Sequence, residues 1–184
     1  REGHAALLHA LASGQGAVVT DVDGTREALR LSRLVHNLMP DEPSPMAVLA
    51  LQLLTESRRA ARVDRAGEPI PLSEQDRSLW DRTLMAEGQA IVRECLRRNR
   101  PGPYQVQAAI AAVHSDAGST AQTDWRQVVA LYDRLLVIAP SKVVELNRAV
   151  AVAEVDGPAA GLALVDRLDL EGYHLWHATR GDLL

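Results

Sequence analysis

The strongest constraint on this chain is a regular alternation of helix-spaced apolar stripes with proline or glycine stops. Met46, Leu49, Ala50, Leu53 and Leu54 recur at i, i+3, i+4 spacing, which puts them on one side of a helix. Proline has no N–H and clashes with the preceding turn, so a helix cannot run through the stops. These stops stand at Pro40-Asp41-Glu42-Pro43, Asn99 to Pro103 (NRPGP), Ala139-Pro140-Ser141 and Asp156-Gly157-Pro158. Short turns between helices make consecutive helices antiparallel neighbours. There is no Phe in the 184 residues and only 3% are aromatic, so the core is left to Leu, Val, Ile and Ala. Such a core suits closely packed helices better than a sheet-rich sandwich. The fold class read from the sequence is therefore all-α, a helical array with antiparallel helix pairs.

In chain order, residues 4–12 (HAALLHALA) read as a short helix and Gly14 to Thr20 as a loop. A helix from Thr25 to about Met39 has Ala28, Leu31, Leu34, Val35 and Leu38 as its apolar face. Ser44 as cap and Pro45 in the first turn open the next helix, which is expected to run to about Ala61. Val63 to Leu72 is non-helical, and Val63-Asp64 and Glu68 to Ile70 can pair as a tiny hairpin around Arg65-Ala66-Gly67. A helix beginning at Ser73 or just after would turn Leu79, Leu84, Ile91, Val92, Cys95 and Leu96 inward, with Trp80 at an edge. Tyr104 to His114 is a short Ala-rich helix, followed by a small-residue loop, Ser115 to Gln122. Thr123-Asp124 caps a helix whose inner face is Trp125, Val128, Val129, Tyr132, Leu135 and Leu136. Further helices follow at Lys142 to Val155, Ala159 to Leu168 and from Tyr173 onward. The organisation read from this is an N-terminal segment 1–24, a helical region 25–122 and a repeat-like region 123–184, one continuous domain cut at both ends. Both ends read as mid-chain sequence, so a piece of a longer protein is expected.

Several function classes are disfavoured. Net charge is −4, whereas nucleic-acid binders usually carry a basic face. The single cysteine, Cys95, leaves no internal disulfide or multi-cysteine metal site and fits a reducing cytoplasm. On the apolar face of its helix it reads as an inert core thiol. No run approaches the roughly 20 apolar residues of a membrane span. No phosphate-binding glycine loop, G-x-S-x-G or H-E-x-x-H occurs. Glu171 and His174 have the i, i+3 spacing of di-iron bundles, but a second such motif is missing, and His174 and His177 share a helix face with no third ligand. His114 reads as packing or capping at a helix end. Trp80, Trp125, Tyr104, Tyr132 and Tyr173 read as the rings that seat helix interfaces, the alternative being a tyrosine or tryptophan that lines a concave peptide groove. No enzyme, cofactor or metal is expected.

The most charge-dense stretch is Arg58 to Asp81, RRAARVDRAGEPIPLSEQDRSLWD. Arg58, Arg59 and Arg62 fall at neighbouring positions of a helix end, and Asp64, Glu74, Asp76 and Asp81 are available to pair with them. Two readings stay open at this point. One is an ion-pair latch that holds a loop onto the helices. The other is a docking surface made of Arg58, Arg59, Arg62, Asp64, Glu74, Gln75, Asp76, Arg77, Trp80 and Asp81. Catalysis has no nucleophile or metal partner here.

Trp125 to Leu168 has the small-residue pattern of a tetratricopeptide repeat. Tyr132 and Leu136 precede Ala139-Pro140, Asn147, Arg148, Ala149 and Ala153 line the next helix, and Ala163-Leu164 follow. Small residues on one helix let the following helix pack closely, so pairs stack into a solenoid. The order of segments is more specific. It runs from TREALRLSRLVHNLMPDEP through LLTESRRAARVDRAGEPIPLSEQDRSLWDRTLMAEG to RPGPYQVQAAIAAVHSDA, then TDWRQVVALYDRLLVIAPSKVVELNRAVAVAEVDGPAAGLALVD and GYHLWHATRGDLL. From Thr25 to Leu184 this resembles the TPR-like C-terminal extension of a group of extracytoplasmic-function (ECF) RNA polymerase σ factors, departing from it at Leu53 to Ser57. The resemblance implies an interaction domain that docks on the σ2/σ4 regions of the same protein or on the polymerase core and modulates transcription initiation. DNA would be met only through those N-terminal regions. The alternative reading is a free-standing TPR-type scaffold that binds an extended peptide of another protein.

Overall fold

The computed structural model describes residues 22–68 and 70–184. The helix expected at 4–12 and the loop at 14–20 lie outside the described residues. The chain divides into two compact units, with the division between Thr123 and Asp124. Eight α-helices and three one-turn 3-10 helices occupy the described residues, so the all-α helical array is the observed fold.

The first unit holds α1 (Val22–Leu38), α2 (Pro43–Glu56), α3 (Arg82–Arg98) and α4 (Pro103–Asp116). Helix α2 is its centre and packs against α1, α3 and α4. Its sequence explains this position. Met46, Ala47, Leu49, Ala50, Leu51, Leu53 and Leu54 are all buried, and they wrap around most of the helix. A helix that is apolar on every side needs neighbours on every side. Gly88 on α3 permits the closest approach, because a β-carbon there would stand 2.7 Å from Leu54 Cγ and 3.3 Å from the carbonyl of Ala50.

Three local expectations are corrected in this unit. Ala28, Leu31, Leu34, Val35 and Leu38 do not form the inner face of α1; all five are exposed, Leu38 to 72%. The buried contact is Leu29, which packs with Leu49, Leu53, Leu84 and Ile91, and Arg33 beside it pairs with Glu87 of α3 at 2.7 Å. Among the described residues α1 is covered on one side, and that contact selected a different side from the most apolar one. Helix α2 begins at Pro43 without a side-chain cap and ends at Glu56, short of Ala61. The Ser57 hydroxyl donates to the Leu54 carbonyl, and the chain continues as a 3-10 turn, Arg59–Ala61. The third helix starts at Arg82, not Ser73, which leaves Leu79 outside it and exposed; Leu96 is exposed as well. The start is set by Asp81, whose carboxylate accepts from the amides of Thr83 at 2.8 Å and Leu84 at 3.0 Å. An aspartate cap satisfies amides that have no helical partner. Asp81→Ala is therefore expected to cost about 1 kcal/mol in urea unfolding, with Asp81→Asn recovering most of it.

The second unit holds α5 (Trp125–Ile138), α6 (Lys142–Asp156), α7 (Pro158–Val165) and α8 (His174–Asp182), and α6, α7 and α8 each pack on the helix before them. Val128, Tyr132 and Leu135 are buried on α5, with Trp125, Val129 and Leu136 half-buried beside them, on the face read from the sequence. Burial pushes the Tyr132 phenol well above its ordinary pKa. The small residues act as the repeat pattern requires. A β-carbon at Gly161 would lie 2.6 Å from Ala153 Cβ and 2.9 Å from the carbonyl of Ala149, so α7 rests almost on the backbone of α6. Leu146, Ala149 and Val165 form the core of this contact, and Leu168, Tyr173 and Trp176 close over it. The Trp176 indole donates to the carbonyl of Val165 at 2.9 Å.

Candidate functional site

The segment Arg58–Asp81 is an ordered connection between α2 and α3. It begins with the small hairpin. The amide of Asp64 donates to the Glu68 carbonyl at 2.9 Å, and the amide of Ile70 donates to the Arg62 carbonyl at 2.8 Å, the pairing read from the sequence. Gly67 takes a left-handed φ of 86° in its turn, which a residue without a β-carbon adopts freely. The return half is held by Gln75, whose Nε2 donates to the Ile70 carbonyl, and by the amide of Asp81, which donates to the Ser57 carbonyl at 2.8 Å. Trp80, Ala61 and Met85 form a small buried core with Leu72 packed against it.

The carboxylates do not close a latch onto the arginines. Asp64 accepts from the amides of Ala66 and Glu68, Asp76 from the amide of Ser78, and Asp81 caps α3. Glu74 is exposed. Hydrogen bonds from Ser78 hold the Asp76 carboxyl below its ordinary pKa. These acids sit in turns, where a short acidic side chain reaches its own backbone before it reaches another helix. Of the arginines, Arg59 pairs with Glu56 at 2.7 Å, a helical i, i+3 partner outside the expected set.

Arg58, Gln75 and Trp80 are buried, and Arg59, Arg62 and Arg77 are half-buried. Trp80 was expected at an edge and is only 3% exposed. The segment consequently has two sides. The outer side presents Asp64, Arg65, Glu68, Glu74, Asp76 and Leu79. The inner side is cationic. The guanidinium carbon of Arg77 stands 4.6 Å from the centre of the Trp80 ring and that of Arg58 stands 5.8 Å from it. Burial, then the charges of Arg62 and Arg77, push Arg58 down to about 10. Burial also lowers Arg62 and Arg77.

Sequence reasoning missed what lies opposite. Arg77 Nη1 donates to the carbonyls of His114 at 2.5 Å and Ala117 at 2.9 Å, which end α4. A cation at a helix C-terminus meets both unpaired carbonyls and the negative end of the helix dipole. Gln89 on α3 reaches the same place, donating to Ser115 Oγ and Asp116 Oδ1. The His114 imidazole is pushed down to about 3, first by burial and then by the charges of Arg58 and Arg77. These partners are tens of residues away from Arg77, and nothing local in the sequence marks them.

The other candidates stay dispersed. Cys95 is buried with Met46 and Ala47, and burial raises its thiol. The His177 ring is hydrogen-bonded to the Glu171 carbonyl at 2.7 Å. Among the described residues, no group of three or more His, Cys, Asp or Glu stands close enough to hold a metal ion. None of the described helices is long and apolar enough to cross a membrane.

Residues 9–96 match the model of a family of unknown function, DUF6596, a stretch that takes in α1, α2 and most of α3 and includes the whole Arg58–Asp81 segment. An uncharacterized protein of Rhizobium meliloti (strain 1021) is 49% identical over 160 residues, 86% of this chain. The chain spans 38% of the length of that relative. No solved structure matches the chain.

Proposed function

We propose that this chain is the regulatory, protein-interaction extension of an ECF-type σ factor. It docks on its own σ2/σ4 regions or on the RNA polymerase core in the cytoplasm and modulates transcription initiation by binding, without catalysis. The observation that carries the reading is the Arg58–Asp81 segment. Its inner side is fixed to α3 and α4, and its outer side offers a rigid row of charges, Asp64, Glu68, Glu74 and Asp76. A row of charges held on a rigid frame pays little ordering entropy on binding and steers association. The resemblance in segment order supplies the partner. The much greater length of the Rhizobium meliloti relative fits a polypeptide that carries further regions besides this one.

The test is a double reversal, Glu68→Arg with Glu74→Arg, in the full-length protein. Both side chains are exposed, so the fold is expected to keep its stability within about 0.5 kcal/mol. Capture of the polymerase core or of a separate σ2/σ4 fragment is expected to weaken roughly fivefold to tenfold, and more at low salt than at high. Unchanged capture at low salt would remove the docking role from this segment. The second reading, a peptide-binding scaffold, draws on the stacked α5, α6 and α7. A full-length gene without σ2 and σ4 coding sequence would favour it.

A further inference from the structure

We propose that the inner side of the Arg58–Asp81 segment is a binding site for a small oxyanion, a carboxylate or a phosphate, held by Arg58, Arg77 and the indole N–H of Trp80. This concerns the buried side of the segment and stands whether or not the outer side docks on a σ core.

Three observations lead to it. The first is charge without compensation. Arg58 is 4% exposed, and no carboxylate among the described residues forms an ion pair with Arg58 or Arg77; the charge of Glu56 acts on Arg62 instead. Of the acids nearest in sequence, Asp64, Asp76 and Asp81 are committed to backbone amides, Glu56 pairs with Arg59, and Glu74 faces outward. Burying a guanidinium is costly unless a counter-charge joins it. Stacking on an indole returns only part of that cost.

The second observation is donors without acceptors. Trp80 Nε1 and Arg77 Nη2 are fully buried and have no hydrogen-bond partner among the described residues. A bound water or ion is one of the ways in which buried N–H groups left like this are satisfied. Arg77 Nη1 is already engaged by the carbonyls of His114 and Ala117, so the guanidinium is fixed in orientation and its other nitrogen is the one left over. The third observation is proximity, since both guanidiniums lie within 5.8 Å of the centre of one indole ring. An oxyanion accepts from several N–H groups at once and supplies the missing negative charge, and guanidinium forks match carboxylate and phosphate geometry. Water would satisfy the donors but not the charge.

The experiment is thermal unfolding of the full chain at constant ionic strength, with sodium chloride replaced stepwise by sodium phosphate in one arm and sodium acetate in the other. A saturable rise of about 5 °C at tenfold over half-saturation is expected in at least one arm, and the arm that responds names the anion. Two variants locate the effect. Arg58→Met keeps the length of the side chain and removes the charge, and it is expected to abolish the anion-dependent rise. Trp80→Phe keeps a ring in the core and removes only the N–H. It is expected to fold and to shift half-saturation several-fold to higher anion, which keeps the proposal testable if Arg58→Met does not fold. A midpoint indifferent to both anions overturns the proposal. A rise that is unchanged in Trp80→Phe, or that survives in folded Arg58→Met, overturns it too.

Discussion

Leu53→Ala is expected to lower the unfolding free energy of the first unit by about 3–5 kcal/mol. Leu53 is fully buried in the last turn of α2 and shares a core with Leu29 and Leu49, against which Leu84 and Ile91 pack. These neighbours belong to three helices, so the site cannot collapse around a smaller side chain without moving a helix. The penalty then includes both the lost transfer energy and the cavity. Urea unfolding followed by far-UV circular dichroism measures it. Leu96→Ala is the matched control. Its spacing suggests an inner position on α3, yet Leu96 is 66% exposed, and a change within about 0.5 kcal/mol is expected. A large loss at Leu96 with a small one at Leu53 would reverse the assignment of the α3 face.

The second large effect is a loss of stability between neutral and mildly acidic pH. The His114 imidazole titrates at about 3 in the folded chain against an ordinary 6.5, because it is buried and faces Arg58 from the end of α2 and Arg77 from the connecting segment. The sign follows from proton uptake. A depressed folded pKa means that the unfolded chain binds the proton first. Stability is therefore fully present above pH 6.5 and falls as the pH drops from there toward 3. Each pH unit inside that window is worth up to about 1.4 kcal/mol, so about 2 kcal/mol is lost between pH 7 and pH 5. His114→Gln should flatten this part of the curve. The lowered carboxyls of Glu27, Glu94 and Asp169, held by Arg30, by Arg98 with Arg97, and by Lys142, start from 4.5 or less and act at lower pH. A curve for the unaltered chain that is flat from pH 7 to 5 would contradict the burial of His114.

Much of the candidate site's backbone was legible before its side chains were. The hairpin at 63–70 followed from Gly67 and the flanking prolines, because turn chemistry is local. The roles of the charged residues were not legible. Arg58 and Asp81 looked like partners in an ion pair, and they are instead a buried cation and a helix cap. Asp64 and Asp76 were diverted in the same way by amides two residues away. A turn's own amides are nearer than a guanidinium across a loop, and composition says nothing of that competition. The small residues of the second unit were read correctly. Ala149 and Ala153 permit the close approach of two helices, and that is the contact they make, with Gly161, which the repeat pattern did not mark, on the other side of it.

Residue order alone makes the described chain helical, places most of its turns and marks the helices that pack through small residues. Helix-spaced stripes, proline stops and the missing Phe leave little else. Only the tertiary structure decided which side of α1 is covered, that α2 lies at the centre of its unit, and that Arg58 and Arg77 share one indole. Periodicity, capping and turn chemistry act over a few residues. Burial of a charge and the choice of a helix face depend on neighbours tens of residues away, such as the end of α4 that receives Arg77.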